Sequence, residues 1–193
     1  MEKIVLASQS PRRKLLLEWA EIPFDVIIQS TDESFPENIT PAEAAIYVAQ
    51  QKAIAVQSGE VFKKYERPLP VLAADTMVVC ERKIIGKPRD KEDAINMLKL
   101  LSGKKHLVIT GVVIKTGTEE IAFADTTEVW FHELTDEQIN FYVEQYKPYD
   151  KAGAYGIQEW IGVVGIERIS GDFYNVMGLP ISRVVKALNN DRV

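Results

Sequence analysis

A chain of 193 residues with 46% hydrophobic and 26% charged side chains is long enough to bury a core and too apolar to be disordered. Its net charge of −5 argues against a general nucleic-acid binder, and no apolar run reaches the length of a membrane span. A single cysteine, Cys80, excludes an internal disulfide scaffold and fits a reducing compartment, and His106 and His132 are too scattered for a zinc site.

Residues 3–7 are predicted to be an apolar strand that runs into LASQSPRRKLLLEW. There Ser10 suits an N-cap, Pro11 the first helical position, and Leu15, Leu16 and Trp19 an apolar face, which predicts a helix over 11–20. A short strand over 24–29 and a polar loop, TDESFPENIT, come next. Thr40, Pro41 and Glu43 make a capping-box pattern for a helix that runs to Gly59. PVLAADTMVVC reads as a central strand, apolar on both faces except at Asp75 and Thr76, with ERKIIGKP as its hairpin return. DKEDAINMLKLLSG is a helix between the cap Asp90 and the stop Gly103. Strands over 107–115 and 121–132 meet at the turn TGTEE, and Thr135 opens another capped helix. KPYDKAGAYGIQEW reads as a glycine-rich loop, 161–169 as a strand, and PISRVVKALNN as a closing helix begun by Pro180. Helices and strands alternate while hairpins intrude. That predicts an α/β fold with a mixed, twisted sheet flanked by helices, in a single domain over 1–193 with two lobes.

Some polar residues do not belong to packing. Arg12 and Arg13 fall in the first turn of a helix, where each cation is unfavourable by about 0.3–1 kcal/mol against the backbone dipole. The free amides of a strand–turn–helix junction, the hydroxyls of Ser8 and Ser10 and two planar guanidiniums match phosphate oxygens, and a polyphosphate reverses the sign of that penalty. The alternative leaves both arginines in solvent or paired with acids of the TDESFPE loop. Asp75 is costly to ionise in an apolar strand unless it is paired or binds metal. A functional carboxylate and a salt bridge to a nearby lysine both meet that requirement.

Glu33, beside Asp32 and Glu37, is a ligand or a solvated loop acid. Lys52 has largely apolar helical neighbours, Tyr47, Val48, Ala49, Ala55 and Val56, along which a lysine can snorkel. Lys87 is held between Gly86 and Pro88 in a turn that either aims its ammonium or leaves it idle. Gln158 offers a donor and an acceptor suited to a nucleobase edge, while Gly153, Gly156 and Gly162 around it read first as turns. Cys80, in VVC, reads as a buried, inert thiol. The P-loop, dinucleotide, G-x-S-x-G and H-E-x-x-H signatures do not occur, so those enzyme classes lack support.

LASQSPRRKLL, AADTMVV, IIGKP, ITGVVI, DKAGAYGIQ and NVMGLP stand in that order along nearly the whole chain. Together they closely resemble the Maf family of nucleoside triphosphate pyrophosphatases. The resemblance implies a Maf/ITPase-like fold with two lobes around a central cleft. It implies hydrolysis of nucleoside triphosphates to monophosphate and pyrophosphate, with Mg²⁺ or Mn²⁺ as cofactor. The implied partners are the nucleotide and a second copy of the chain in a homodimer, with no nucleic acid and no membrane, and the implied location is the cytoplasm.

Arg12, Thr76 and Gln158 look like the trio of the branch acting on dTTP and UTP. In the sibling branch acting on 7-methyl-GTP, the matching places look like an aromatic, a glutamine and a glutamate. A glutamine amide suits the carbonyls and the N–H of uracil and thymine, whereas an ionised glutamate only accepts. Asp172 and Phe173 depart from the small or hydroxyl residues that relatives often carry. The implied mechanism is metal-assisted attack of water at the α-phosphorus. Asp75 is its general base and, with Glu33, a metal ligand; Ser8, Arg13, Lys52 and Lys87 hold phosphates; Arg12, Thr76 and Gln158 read the base or sugar. The alternatives are a non-catalytic nucleotide-sensing regulator of septum formation and a phosphatase or unrelated house-cleaning pyrophosphatase.

Overall fold

In the computed structural model, which describes residues 2–190, the chain runs through β1 (Ile4–Leu6), α1 (Pro11–Trp19), β2 (Phe24–Val26), α2 (Pro41–Ser58), β3 (Val71–Cys80) and β4 (Lys83–Ile85). It continues through α3 (Lys91–Leu101), β5 (Lys105–Thr116), β6 (Glu119–Phe131), α4 (Asp136–Tyr146), α5 (Trp160–Gly165), β7 (Ile166–Ser170), α6 (Phe173–Met177) and α7 (Ile181–Asn190). The strands form one seven-stranded sheet in the order β2-β1-β3-β5-β6-β7, with β4 on β3. β1 pairs in parallel with β2 and β3, while β3–β4 and β6–β7 are antiparallel, so the sheet is mixed as expected. Among the described residues no helix is long and apolar enough to cross a membrane.

Two compact units divide the chain: Met1–Asp75, Thr110–Asp125 and Gly178–Val193 form the first, and Thr76–Ile109 and Thr126–Met177 the second. In the first, α2 starts at a capping box. Glu43 N–H donates to Thr40 Oγ1 at 3.2 Å and Thr40 N–H to Glu43 Oε2 at 2.7 Å. The inward face of α2 is small, with Ala44, Ala45, Ala49 and Ala53 all buried, so the helix lies close on the sheet. Gly111 in β5 marks the closest approach: a Cβ there would sit 2.3 Å from Ala45 C and Ile46 N.

In the second unit, α4 has its own capping box between Thr135 and Gln138, and α3 is capped by Asp90, which accepts from Asp93 N–H at 2.8 Å. His106, Phe131 and Tyr155 form a buried edge-to-face cluster with ring centroids 4.9–5.4 Å apart.

The strand expected over 161–169 is corrected. Its first part is the helical turn α5, and β7 begins only at Ile166. The backbone of Gly162 lies against Ile157, whose carbonyl would be 1.8 Å from an added Cβ, and Glu159 O accepts from Gly162 N–H at 2.9 Å. That turn buries Ile161 completely and turns Val163 out to 80% exposure, a split that apolar letters alone do not reveal. The inward face of α1 also differs from expectation. Leu16 and Leu17 are buried together with Arg13, and Trp19 is exposed. The strand expected over 24–29 ends at Val26, and the glycine-rich loop contains a 3₁₀ turn at Ala152–Ala154, with Gly153 at φ 70°.

Candidate functional site

The first unit gathers six of the candidate residues: Ser8, Arg12, Arg13, Glu33, Lys52 and Asp75. β1 ends at Leu6, and Ser8 follows it into the turn before α1. Ser8 Oγ accepts from Ser10 N–H at 3.2 Å and from Arg13 Nη1 at 3.1 Å. Ser10 occupies the N-cap position as expected, but its side chain makes no capping bond, so the hydroxyl that organises the turn belongs to Ser8.

Arg13 lies on the buried face of α1. Its Nε donates to Gly178 O at 2.8 Å, and its Nη1 donates to Ala74 O at 2.8 Å as well as to Ser8. Each such bond from a charged donor contributes about 1.5–3 kcal/mol. Burial pushes the guanidinium down to about 10, Asp75 and Glu33 oppose that and Arg12 adds to it, so Arg13 stays charged at neutral pH. Arg12, one residue earlier on the helix, is half-buried.

Ala74, gripped by Arg13, precedes Asp75. Lys52 reaches Asp75 from α2, with Nζ 2.7 Å from Asp75 Oδ1 and 2.8 Å from Glu33 Oε1. The Lys52 and Asp75 side chains are 15% and 17% exposed and Glu33 is 53% exposed, so Lys52 and Asp75 form the sheltered pair and Glu33 is the outer acid. The salt bridge considered as an alternative for Asp75 is therefore present, and its lysine is Lys52. The stem of Lys52 runs past buried Val48, Ala49 and Val56 while its head meets two acids. Formal charges on Arg13, Lys52, Asp75 and Glu33 cancel.

This arrangement can hold an anion through the ammonium and guanidinium and can offer carboxylates to a cation. Among the described residues no three His, Cys, Asp or Glu side chains gather as metal ligands. Glu33 and Asp75 nevertheless converge on one point, marked by Lys52 Nζ. Mg²⁺ is commonly bound through one or two carboxylates with substrate phosphates and water completing its shell, so this donor set fits such an ion.

Thr76, Lys87 and Gln158 belong to the second unit. Thr76 is half-buried on β3. Lys87 is exposed just after Gly86, whose carbonyl accepts from Gly153 N–H at 3.0 Å, so the turn carrying Lys87 is tied to the loop that leads to Gln158. Gln158 is exposed, whereas every residue from 153 to 157 is buried. Cys80 is buried, and that burial, with Glu81 nearby, raises its thiol pKa, as befits an inert packing residue.

Sequence patterns missed the anchors of these side chains. Ala74 O and Gly178 O are backbone acceptors and have no letter of their own. Tyr142, Lys151 and Glu159, which brace the Gln158 loop, read as ordinary members of a helix and a loop; the one signal was the run of glycines that lets the loop fold tightly.

The family described as "Maf-like protein" matches residues 3–191. Similar curated proteins carry the name "dTTP/UTP pyrophosphatase". That of Cytophaga hutchinsonii is 48% identical over 185 residues, which span 96% of this chain and 82% of that one. Those of Parabacteroides distasonis and Bacillus cytotoxicus are 46% and 45% identical, each over 97% of this chain and 95% of its own. The backbone also overlaps that of the Staphylococcus aureus Ham1 protein at a TM-score of 0.49 and 16% identity, over 99% of this chain and 100% of that one.

Proposed function

This chain belongs to the Maf-like protein family, and from that premise we propose that it hydrolyses nucleoside triphosphates, dTTP and UTP foremost, to the monophosphate and pyrophosphate. The observation that carries the proposal is the contact of Lys52 Nζ with both Asp75 and Glu33, beside the buried charge of Arg13. One point thus offers acids to a water or a cation and cations to phosphate oxygens.

In this scheme Asp75 takes the proton of the water that attacks the α-phosphorus. Lys52 and the charge of Arg13 face the phosphates, and Ser8 with the first amides of α1 positions them. The bonds of Arg13 to Ala74 and Gly178 keep β3 in place one residue before the base. A divalent cation, Mg²⁺ or Mn²⁺, held by Glu33 and Asp75, would supply neutralisation of phosphate charge. Phosphate contact by Lys87 and recognition of base or sugar by Arg12, Thr76 and Gln158 are proposed from the resemblance of their motifs. The same resemblance supports a cytoplasmic location and a homodimer. A nucleotide-sensing regulator without turnover is not favoured, because the similar proteins carry an enzyme's name.

A panel of nucleoside triphosphates, incubated with Mg²⁺ or Mn²⁺ and resolved by product, tests the proposal. UTP and dTTP should yield monophosphate and pyrophosphate. Diphosphate and phosphate would make the protein a phosphatase, and binding without product would make it a sensor.

A further inference from the structure

We propose that Tyr142, Glu159 and Lys151 are positioning residues that set nucleotide discrimination by fixing the turn that presents Gln158, an inference that rests on the proposed base-reading part of Gln158.

Tyr142 is completely buried on the inner face of α4, beside Ile139 and Val143. Its hydroxyl donates to Glu159 Oε2 and accepts from Gly156 N–H at 3.0 Å. Glu159 Oε1 lies 3.2 Å from Lys151 Nζ, which also meets Asp150 Oδ1 at 2.7 Å. The Lys151 and Glu159 side chains are only 9% and 19% exposed, so this ion pair is largely withdrawn from water.

Three features indicate that the pair serves the turn. Glu159 occupies the N-cap position of α5, where an acid favourably meets free amides, yet it makes no side-chain capping bond. Its carboxylate is turned back instead onto Tyr142 and Lys151. Gly156 leaves the space that this requires, since a Cβ there would lie 2.9 Å from Glu159 Cδ. Glu159 N–H then closes the turn onto Gly156 O at 3.0 Å. Ile157, 5% exposed, is driven inward as the anchor, and Gln158 is left facing out.

A glutamine amide on a loose loop serves either uracil or cytosine by rotating, because the two bases present reversed donor and acceptor edges. Discrimination needs the amide to start from one place, and ordering it on binding costs side-chain entropy unless the backbone beneath is already fixed. A withdrawn ion pair is a poor stabiliser compared with apolar residues of similar volume, and its attested use is to specify one geometry. Here that geometry is the 156–159 turn.

The test measures kcat/KM for UTP and CTP, together with thermal unfolding, in Tyr142→Phe, Glu159→Gln and Gln158→Ala. Tyr142→Phe keeps the ring and removes both bonds; Glu159→Gln is isosteric and carries the same test should the phenylalanine variant fail to fold. Each should lower the UTP:CTP ratio by about fivefold or more, through the KM for UTP, with kcat within about twofold of the parent. Gln158→Ala should lower the ratio at least as far. If it does so while both positioning variants keep the parental ratio and lose only thermal stability, the positioning role is overturned and the base-reading role of Gln158 stands. If Gln158→Ala itself leaves the ratio unchanged, the base-reading role fails, and the positioning role with it.

Discussion

Lys52 Nζ lies 2.7 Å from Asp75 Oδ1, and it is the counter-charge for an acid in a strand whose other residues, Thr76 excepted, are buried. Replacing Lys52 with Met leaves Asp75 and Glu33 close together without that cation. Because the pair retains some exposure, the loss should be about 1–3 kcal/mol, below that of a fully buried pair. Asp75→Asn should relieve part of the cost in the Lys52→Met background, with a coupling energy of about 1 kcal/mol or more. Urea denaturation of the four proteins measures it, and additive single effects would show that the contact contributes nothing.

Turnover separates charge pairing from chemistry at the same residue. Asp75→Asn is expected to lower kcat by about 10²–10⁴ while nucleotide binding, followed by calorimetry, persists. Nearly intact activity would remove Asp75 as the base. Removing divalent ions with a chelator should stop hydrolysis of UTP, and adding back Mg²⁺ or Mn²⁺ should restore it; continued turnover after chelation would take the ion out of the scheme.

Arg13 spans three acceptors, on Ser8, Ala74 and Gly178. A lysine keeps the charge but has no planar fork with which to reach them together. Arg13→Lys should therefore lower stability by about 2–4 kcal/mol, read as a melting temperature lower by about 5–10 °C. A variant that melts like the parent would mean that charge alone is needed there.

Gly111 is required by proximity rather than by backbone angle. Gly111→Ala forces a methyl into backbone atoms of Ala45 and Ile46 at 2.3 Å, and should cost about 3 kcal/mol or more. Gly86→Ala meets nothing within 4 Å and should stay within about 0.5 kcal/mol of the parent. Equal denaturation midpoints for the two variants would contradict the close seating of α2 on β5.

His106 predicts an acid limb. Burial pushes its imidazole from the usual 6.5 down to about 4, and its Nδ1 has no hydrogen-bond partner among the described residues. The unfolded chain therefore takes up this proton before the folded one does. Stability should fall as pH drops from about 6.5 to about 4 and level off below, a loss on the order of 3 kcal/mol. His106→Gln, which retains a partner for the Tyr155 hydroxyl, should flatten that limb in urea titrations. An unchanged slope would assign the limb to other groups.

Much of the fold was legible because its signals are local. The capping boxes of α2 and α4 join residues three apart, and the pairing of β3 with β4 needs only a short turn. The segment from Ile161 differs from the strand its letters predict for the complementary reason. Its β-branched letters suit a strand, and the choice of a helical turn was made by the approach of Gly162 to the Ile157 carbonyl. In the site, Asp75 stood out as a carboxylate among apolar neighbours, and Arg12 and Arg13 as cations at the wrong end of a helix. Those anomalies identify residues without naming their partners.

The letters alone determined where charge had to be answered: at Asp75 in its apolar strand, and at the paired arginines after Ser8. Only the tertiary structure decided what answers it. Lys52 was one lysine among many until α2 laid it on β3. The acceptors of Arg13 on Ala74 and Gly178 lie 61 and 165 residues away, and they are backbone carbonyls. Every residue carries such a group, so chain folding, and not residue type, selects which carbonyl a buried guanidinium meets.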